Sequence, residues 1–290
     1  MTLEGTITAL VTPFGKDGKV DFGALRALVE RQVAGGVEGI VPVGTSGESP
    51  TLSHEEHLKV IEETISAAAG RVKIIAGAGA NATSEAVELT KAVIAMGGAD
   101  ATLQVMPYYN KPNAEGAYRH FSTIADLGLP IVLYNVPGRS GKEIPLDTVA
   151  RLAVHPNVCA IKEAAGSVER VSQILDKCAI TVLSGDDSLT LPMISVGARG
   201  VISVASNVIP REMGDFVRLA LAGDLAAART MHRKYYRLFK NLFIDSNPIP
   251  AKEALSAMGL VENVFRLPLC ETSEENRATI RATLKECGII

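Results

Sequence analysis

Eight short apolar runs recur along the chain, at residues 6–11, 39–43, 72–76, 101–106, 131–135, 158–163, 181–184 and 200–204. Between most of them lies a segment whose apolar residues repeat at helical spacing. The first such segment carries Leu25, Leu28, Val29, Gln32 and Val33 on one stripe, and the second carries Leu58, Ile61, Ile65 and Ala68. Each stripe needs a sheet to cover. Glycines stand where a left-handed helix cap is wanted: Gly35-Gly36, Gly97-Gly98 and Gly197. Strands that alternate with helices imply a parallel sheet, and eight of them in this length predict an α/β fold, a closed (β/α)8 TIM barrel. The competing open, doubly wound sheet is the weaker expectation. No G-x-G-x-x-G follows the first run, and Gly77-Ala78-Gly79-Ala80-Asn81-Ala82 lacks the last glycine and reads as a tight turn into a helix.

From Pro210 onward the strand runs stop, and segments 225–240, 250–258 and 273–287 turn helical and more charged. The expected organisation is a barrel over residues 1–223 and a C-terminal helical extension over 224–290. No low-complexity linker separates them, so the extension should pack on the barrel. The net charge of −3 gives no basic surplus for nucleic acid or an anionic membrane, which leaves a small-molecule site as the better expectation. Four cysteines without C-x-x-C spacing suggest neither a zinc site nor a disulfide framework, and a reducing cytoplasm is the expected setting. The N-terminus lacks a basic region ahead of an apolar stretch, and no segment is apolar for the length of a membrane span, so neither export nor membrane insertion is expected.

In a barrel of this type the chemistry sits at the C-terminal ends of the strands. There the chain places its unusual polar residues: Gly44-Thr45-Ser46-Gly47-Glu48-Ser49, Pro107-Tyr108-Tyr109-Asn110-Lys111-Pro112, Tyr134-Asn135-Val136-Pro137-Gly138-Arg139 and Ser184-Gly185-Asp186-Asp187. The sixth run, Val158-Cys159-Ala160-Ile161-Lys162-Glu163-Ala164, is predicted to put Val158, Ala160 and Lys162 on one face and Cys159, Ile161 and Glu163 on the other. Lys162 on an apolar face reads either as a lysine snorkelling from a strand end or as a nucleophile whose desolvation favours the free amine a Schiff base requires. Together the loops describe a pocket with a lysine, hydroxyls able to relay protons, and an arginine suited to a carboxylate.

These loops, with Gly200-Val201-Ile202-Ser203-Val204 and Asn247-Pro248-Ile249-Pro250, resemble the dihydrodipicolinate synthase family over essentially the whole length. That family sits within the pyruvate-dependent class I aldolase superfamily, which includes N-acetylneuraminate lyase. The resemblance implies a lyase that condenses pyruvate with L-aspartate 4-semialdehyde in the diaminopimelate route to lysine. It needs no cofactor beyond the covalent Schiff base on Lys162, and no metal. Tyr134, Thr45 and Tyr109 match the family's proton-relaying hydroxyls, and in relatives the tyrosine matching Tyr109 reaches in from a neighbouring subunit, which implies a homotetramer built from two tight dimers. Thr45 and Ser46 would hold the carboxylate of pyruvate, Ser46 standing where threonine is commoner, with the backbone near Gly185 and Ile202 lining the pocket. Arg139 would grip the aldehyde substrate's carboxylate; sibling aldolases acting on N-acetylneuraminate or 2-keto-3-deoxy sugar acids are expected to carry another residue there. A non-catalytic ligand-binding barrel is the remaining alternative. Ser49, His54, His57, Asn81, Glu85 and Tyr108 match a lysine effector site of relatives. Ser53 and Glu56 read as a capping box, which accounts for the acids beside the two histidines without a metal.

Overall fold

The computed structural model describes residues 2–290. Its strands are β1 (Gly5–Ala9), β2 (Gly39–Val41), β3 (Lys73–Gly77), β4 (Ala101–Val105), β5 (Ile131–Asn135), β6 (Val158–Glu163), β7 (Thr181–Ser184) and β8 (Gly200–Ser203). All pair in parallel and in chain order, and β1 pairs with β8 to close the barrel. The eight expected runs are thus the eight strands, with ends moved by one or two residues. The helices are α1 (Phe22–Gly35), α2 (His54–Ala68), α3 (Thr83–Met96), α4 (Ala114–Ala125), α5 (Pro137–Ser140), α6 (Leu146–Ala153), α7 (Val168–Lys177), α8 (Thr190–Ser195), α9 (Pro210–Leu221), α10 (Leu225–Asn241), α11 (Ile249–Ala257) and α12 (Glu274–Glu286).

Two apolar layers follow from strand alternation. Ile7, Val41, Ile75, Leu103, Val132, Ala160, Leu183 and Ile202 fill the barrel. Ile40, Ile74, Leu133, Ile161, Val182 and Val201 face outward against the helices. Two local expectations fail. Val158 lies in the outer layer, not on the Lys162 face, and Cys159 packs against the inner one. The pairing of β5 with β6 jumps from Ile131↔Val158 to Val132↔Ala160, so Cys159 is an extra residue that resets the alternation. In α2 the buried stripe is His57, Val60, Ile61, Thr64 and Ala68, rotated from the expected one because Val60 and His57 turn inward while Leu58 stays half-buried.

Helix ends follow the local chemistry. Asp21 accepts the Ala24 N–H at the start of α1, and Gly36 ends that helix in the left-handed region, with φ 73°. The Ser53–Glu56 capping box opens α2 with both of its hydrogen bonds formed. Ala251, Lys252, Glu253, Ala254 and Leu255 of α11 are all buried, and Lys252 Nζ donates to Glu48 beside the loop after β2 at 2.6 Å. Among the described residues no helix is long and apolar enough to cross a membrane.

Candidate active site

At the C-terminal mouth of the barrel a cavity of about 410 Å³ is lined by Thr45, Ser46, Tyr134, Arg139, Lys162 and Gly185, six of the residues singled out from the sequence. Lys162 and Tyr134 are register partners on β6 and β5, so adjacent strands aim them into the same space. Each is 6% exposed, and Lys162 Nζ lies 4.3 Å from the centroid of the Tyr134 ring. Behind Lys162, on the opposite face of β6, Glu163 accepts hydrogen bonds from Asn135 Nδ2 at 2.8 Å and Arg170 Nε at 2.9 Å. That network ties β5, β6 and α7 together and fixes the strand from which the lysine projects.

Thr45 and Ser46 sit in a single 3₁₀ turn after β2 (Thr45–Gly47), closed by the Glu48 N–H donating to the Thr45 carbonyl at 3.2 Å. Ser46 Oγ accepts from Asn247 Nδ2 at 2.9 Å, and Arg139 on the short helix α5 donates to the Asn247 carbonyl at 3.0 Å. The chain around Gly185 runs tight against β6: a Cβ there would fall 2.5 Å from that of Ala164.

Two expected residues do not put their side chains into this cavity. The Ile202 side chain is fully buried in the packed interior, and the chain that carries it runs on to Val204, which lines the cavity. Tyr109 is 91% exposed, with φ 70°, and stands outside the cavity of its own chain. Conversely, Asp186 and Asn247 line the cavity, two residues to which the sequence pattern assigns no role. Burial pushes the Asp186 carboxyl up, opposed by the nearby charges of Lys162 and Lys240 and by the Gly166 N–H; its Oδ2 has no hydrogen-bond partner. The signal in the sequence was a pair of acids directly after a strand.

A second cavity of about 420 Å³ adjoins the first and shares Thr45, Tyr134 and Arg139 with it. Ser49, His54, His57, Glu85 and Tyr108 line it. Asn81 is set just behind, donating through Nδ2 to the Tyr108 carbonyl at 3.3 Å. His54 Nε2 lies 3.1 Å from Glu85 Oε1, and His57 donates through Nε2 to the Gly77 carbonyl at 2.7 Å. Burial pushes the His57 imidazole down and the Tyr108 phenol up. Both histidines therefore already have protein partners.

Comparison with known proteins places the chain among relatives over its whole length. The family model described as the dihydrodipicolinate synthetase family matches residues 2–287. A 4-hydroxy-tetrahydrodipicolinate synthase from Hydrogenobaculum sp. (strain Y04AAS1) is 52% identical, over 99% of this chain and all of its own. The crystal structure of a chloride-inhibited dihydrodipicolinate synthase from Acinetobacter baumannii, complexed with pyruvate, superposes with a TM-score of 0.97 at 48% identity, covering the whole of both chains. That of the enzyme from Cyanidioschyzon merolae with lysine bound gives 0.96 at 40% identity, over 99% of each.

Proposed function

The chain belongs to the dihydrodipicolinate synthetase family, and on that premise we propose that it condenses pyruvate with L-aspartate 4-semialdehyde through a Schiff base on Lys162. The observation that carries this reading is Lys162 itself: a buried amine, in register with Tyr134, facing a cavity that also holds hydroxyls and a guanidinium. The Lys162 amine adds to the keto carbon of pyruvate, and loss of water leaves an imine. Removal of a proton from the methyl carbon gives an enamine. Its carbon attacks the aldehyde, forming the new carbon–carbon bond, and the aldehyde oxygen takes up a proton. The amino group of the second substrate then attacks the imine carbon, closes the ring and expels Lys162 as the free amine.

Each proton transfer needs a relay held within reach of the reacting atoms, and Tyr134 and Thr45 line the cavity for that role. Thr45 and Ser46 hold the carboxylate of pyruvate, and Arg139 holds that of the aldehyde. Arg139 favours this reading over a sibling aldolase for sugar acids. Tyr109, exposed on its own chain, completes the relay from a second copy, and two such dimers form a tetramer. Mixing an inactive Lys162→Ala chain with an inactive Tyr109→Phe chain restores activity if the tyrosine crosses between subunits; a mixture as inactive as its parents rejects the crossing. The division of labour is a barrel over 1–223 and an extension over 224–290, supported by the turn between α9 and α10. The four unpaired cysteines support a cytoplasmic location.

The second cavity supports regulation by L-lysine. Glu85 offers a carboxylate to an ammonium, His54 and Tyr108 offer polar contacts to the amino-acid end, and the cavity shares Thr45, Tyr134 and Arg139 with the catalytic one. Titrating L-lysine into the assay should lower turnover in the millimolar range, roughly the affinity of a few charged contacts; a flat titration rejects the site. The decisive test of the main reading is borohydride reduction in the presence of pyruvate. The reduced adduct is expected on the peptide bearing Lys162, and an unmodified Lys162 overturns the mechanism.

A further inference from the structure

We propose that Glu48 and Lys252 form a buried positioning pair through which the helical extension holds the Thr45–Ser46 turn in the geometry that receives a keto acid's carboxylate. The proposal rests on the reading of this cavity as the pyruvate site and assigns it two residues that do not touch the substrate.

The turn is bracketed by two non-glycine residues in the left-handed region, Val43 with φ 54° and Glu48 with φ 54° and ψ 37°. For a β-branched residue that is a rare conformation, kept only where the surroundings enforce it. On the Val43 side the enforcement comes from β3: the Val43 carbonyl oxygen lies 2.2 Å from where a Cβ on Gly77 would stand, so only glycine admits this approach. On the Glu48 side it comes from the extension. The Glu48 main chain closes the turn on Thr45, while its side chain runs the other way, into the protein, and the residue is only 2% exposed.

There its carboxylate accepts a hydrogen bond from Lys252 Nζ at 2.6 Å and one from the Arg266 N–H at 3.3 Å. Lys252, in α11, is fully buried and also donates to the Val264 carbonyl at 2.6 Å. Its ammonium lies 4.3 Å from the Phe14 ring centroid and 4.8 Å from that of Phe265. The Arg266 guanidinium packs on the same Phe14 ring, 4.6 Å from its centroid, but its own hydrogen bonds to a carboxylate go to Glu56, so Glu48 and Lys252 remain each other's direct partner and each fixes the place of the other. The same stretch of the extension brings Asn247, five residues before Lys252, to Ser46 Oγ, so the middle of the turn and its Glu48 end are both anchored there.

A pair that served stability alone could be replaced by neutral residues without touching substrate binding; a positioning pair could not. The experiment compares Lys252→Met, Glu48→Gln and the double variant Glu48→Gln/Lys252→Met with the wild type. The readouts are thermal melting, the pyruvate concentration that half-saturates borohydride trapping on Lys162, and KM for each substrate. Lys252→Met should melt lowest, because it strands a carboxylate, and the double variant should recover most of that loss. In the double variant the half-saturating pyruvate concentration should still be raised about tenfold, with KM for L-aspartate 4-semialdehyde within about twofold of wild type. Glu48→Gln, which keeps the side-chain shape, must move the pyruvate value in the same direction. A folded double variant with wild-type pyruvate saturation, or an equal rise in both KM values, overturns the proposal. Failure of the wild type to be trapped at all would instead reject the pyruvate reading on which it rests.

Discussion

Two lysines are buried among the described residues, and their surroundings differ in every respect that matters to chemistry. Lys252 is enclosed completely, with a carboxylate and a carbonyl each 2.6 Å from its nitrogen. Lys162, 6% exposed, makes no ion pair within 4 Å among the described residues and faces an open cavity beside a tyrosine ring. Burial pulls the Lys252 ammonium down from its ordinary range, and Glu48 opposes that pull. A pinned ammonium has its hydrogens committed, whereas a nucleophile needs a lone pair and room to approach a carbonyl carbon. Burial alone therefore does not mark the reactive amine; the absence of a committed partner does.

The largest effect expected from this contrast is on Lys162→Arg. A guanidinium stays protonated at any working pH and cannot form the imine, so turnover should fall by at least about a thousandfold and trapping should vanish. Lys252→Met, by contrast, should still be trapped when pyruvate is saturating. The comparison breaks if the arginine variant keeps its turnover or if borohydride labels the peptide carrying Lys252. Next comes Tyr134→Phe, which keeps the ring packed beside Lys162 and deletes only the hydroxyl. A loss in kcat of about 10²-fold, with little change in melting temperature, is expected of a proton relay; an unchanged kcat would move the relay elsewhere. Smaller and more selective is Arg139→Ala. It should raise KM for L-aspartate 4-semialdehyde by roughly one to two orders of magnitude and that for pyruvate far less. Equal effects on both would remove the assignment to the aldehyde's carboxylate.

Much of this was legible before any coordinates, because β-branched runs and helical stripes are local signals, and a (β/α)8 barrel repeats them eight times. The barrel rule then sends the strand-end residues Thr45, Tyr134, Arg139, Lys162 and Gly185 to one mouth, where they are found. What stayed hidden was non-local. The extra residue in β6 leaves no trace in the sequence, since a strand apolar on both faces has no alternation to interrupt. Nothing near Glu48 announces that its partner is 204 residues away, or that Asn247 returns to Ser46 across 201.

The contrast extends to carboxylates, and there it yields the smallest effect. Glu48 faces a cation, whereas Asp187, just past β7, is held by neutral donors only: Ser203 Oγ at 2.6 Å and the N–H groups of Val204 at 3.1 Å and Ala205 at 2.9 Å. Burial pushes its carboxyl up to about 6 from the usual 3.8, and the three hydrogen bonds recover only part of that. Between these two values the folded protein binds more protons than the unfolded chain. Asp187 therefore costs stability progressively as pH rises through that window, and the full cost remains above it. An asparagine can keep all three contacts, its oxygen accepting both N–H groups and its amide donating to Ser203 Oγ, while having no charge to bury. Asp187→Asn should thus melt close to wild type near pH 4 and above it near pH 7, a gain of at most about 3 kcal/mol for the two-unit shift. Paired thermal melts across that range decide the matter. A gap that does not widen with pH would mean that the neutral donors already carry the charge, and that a buried anion in this protein needs no cation beside it.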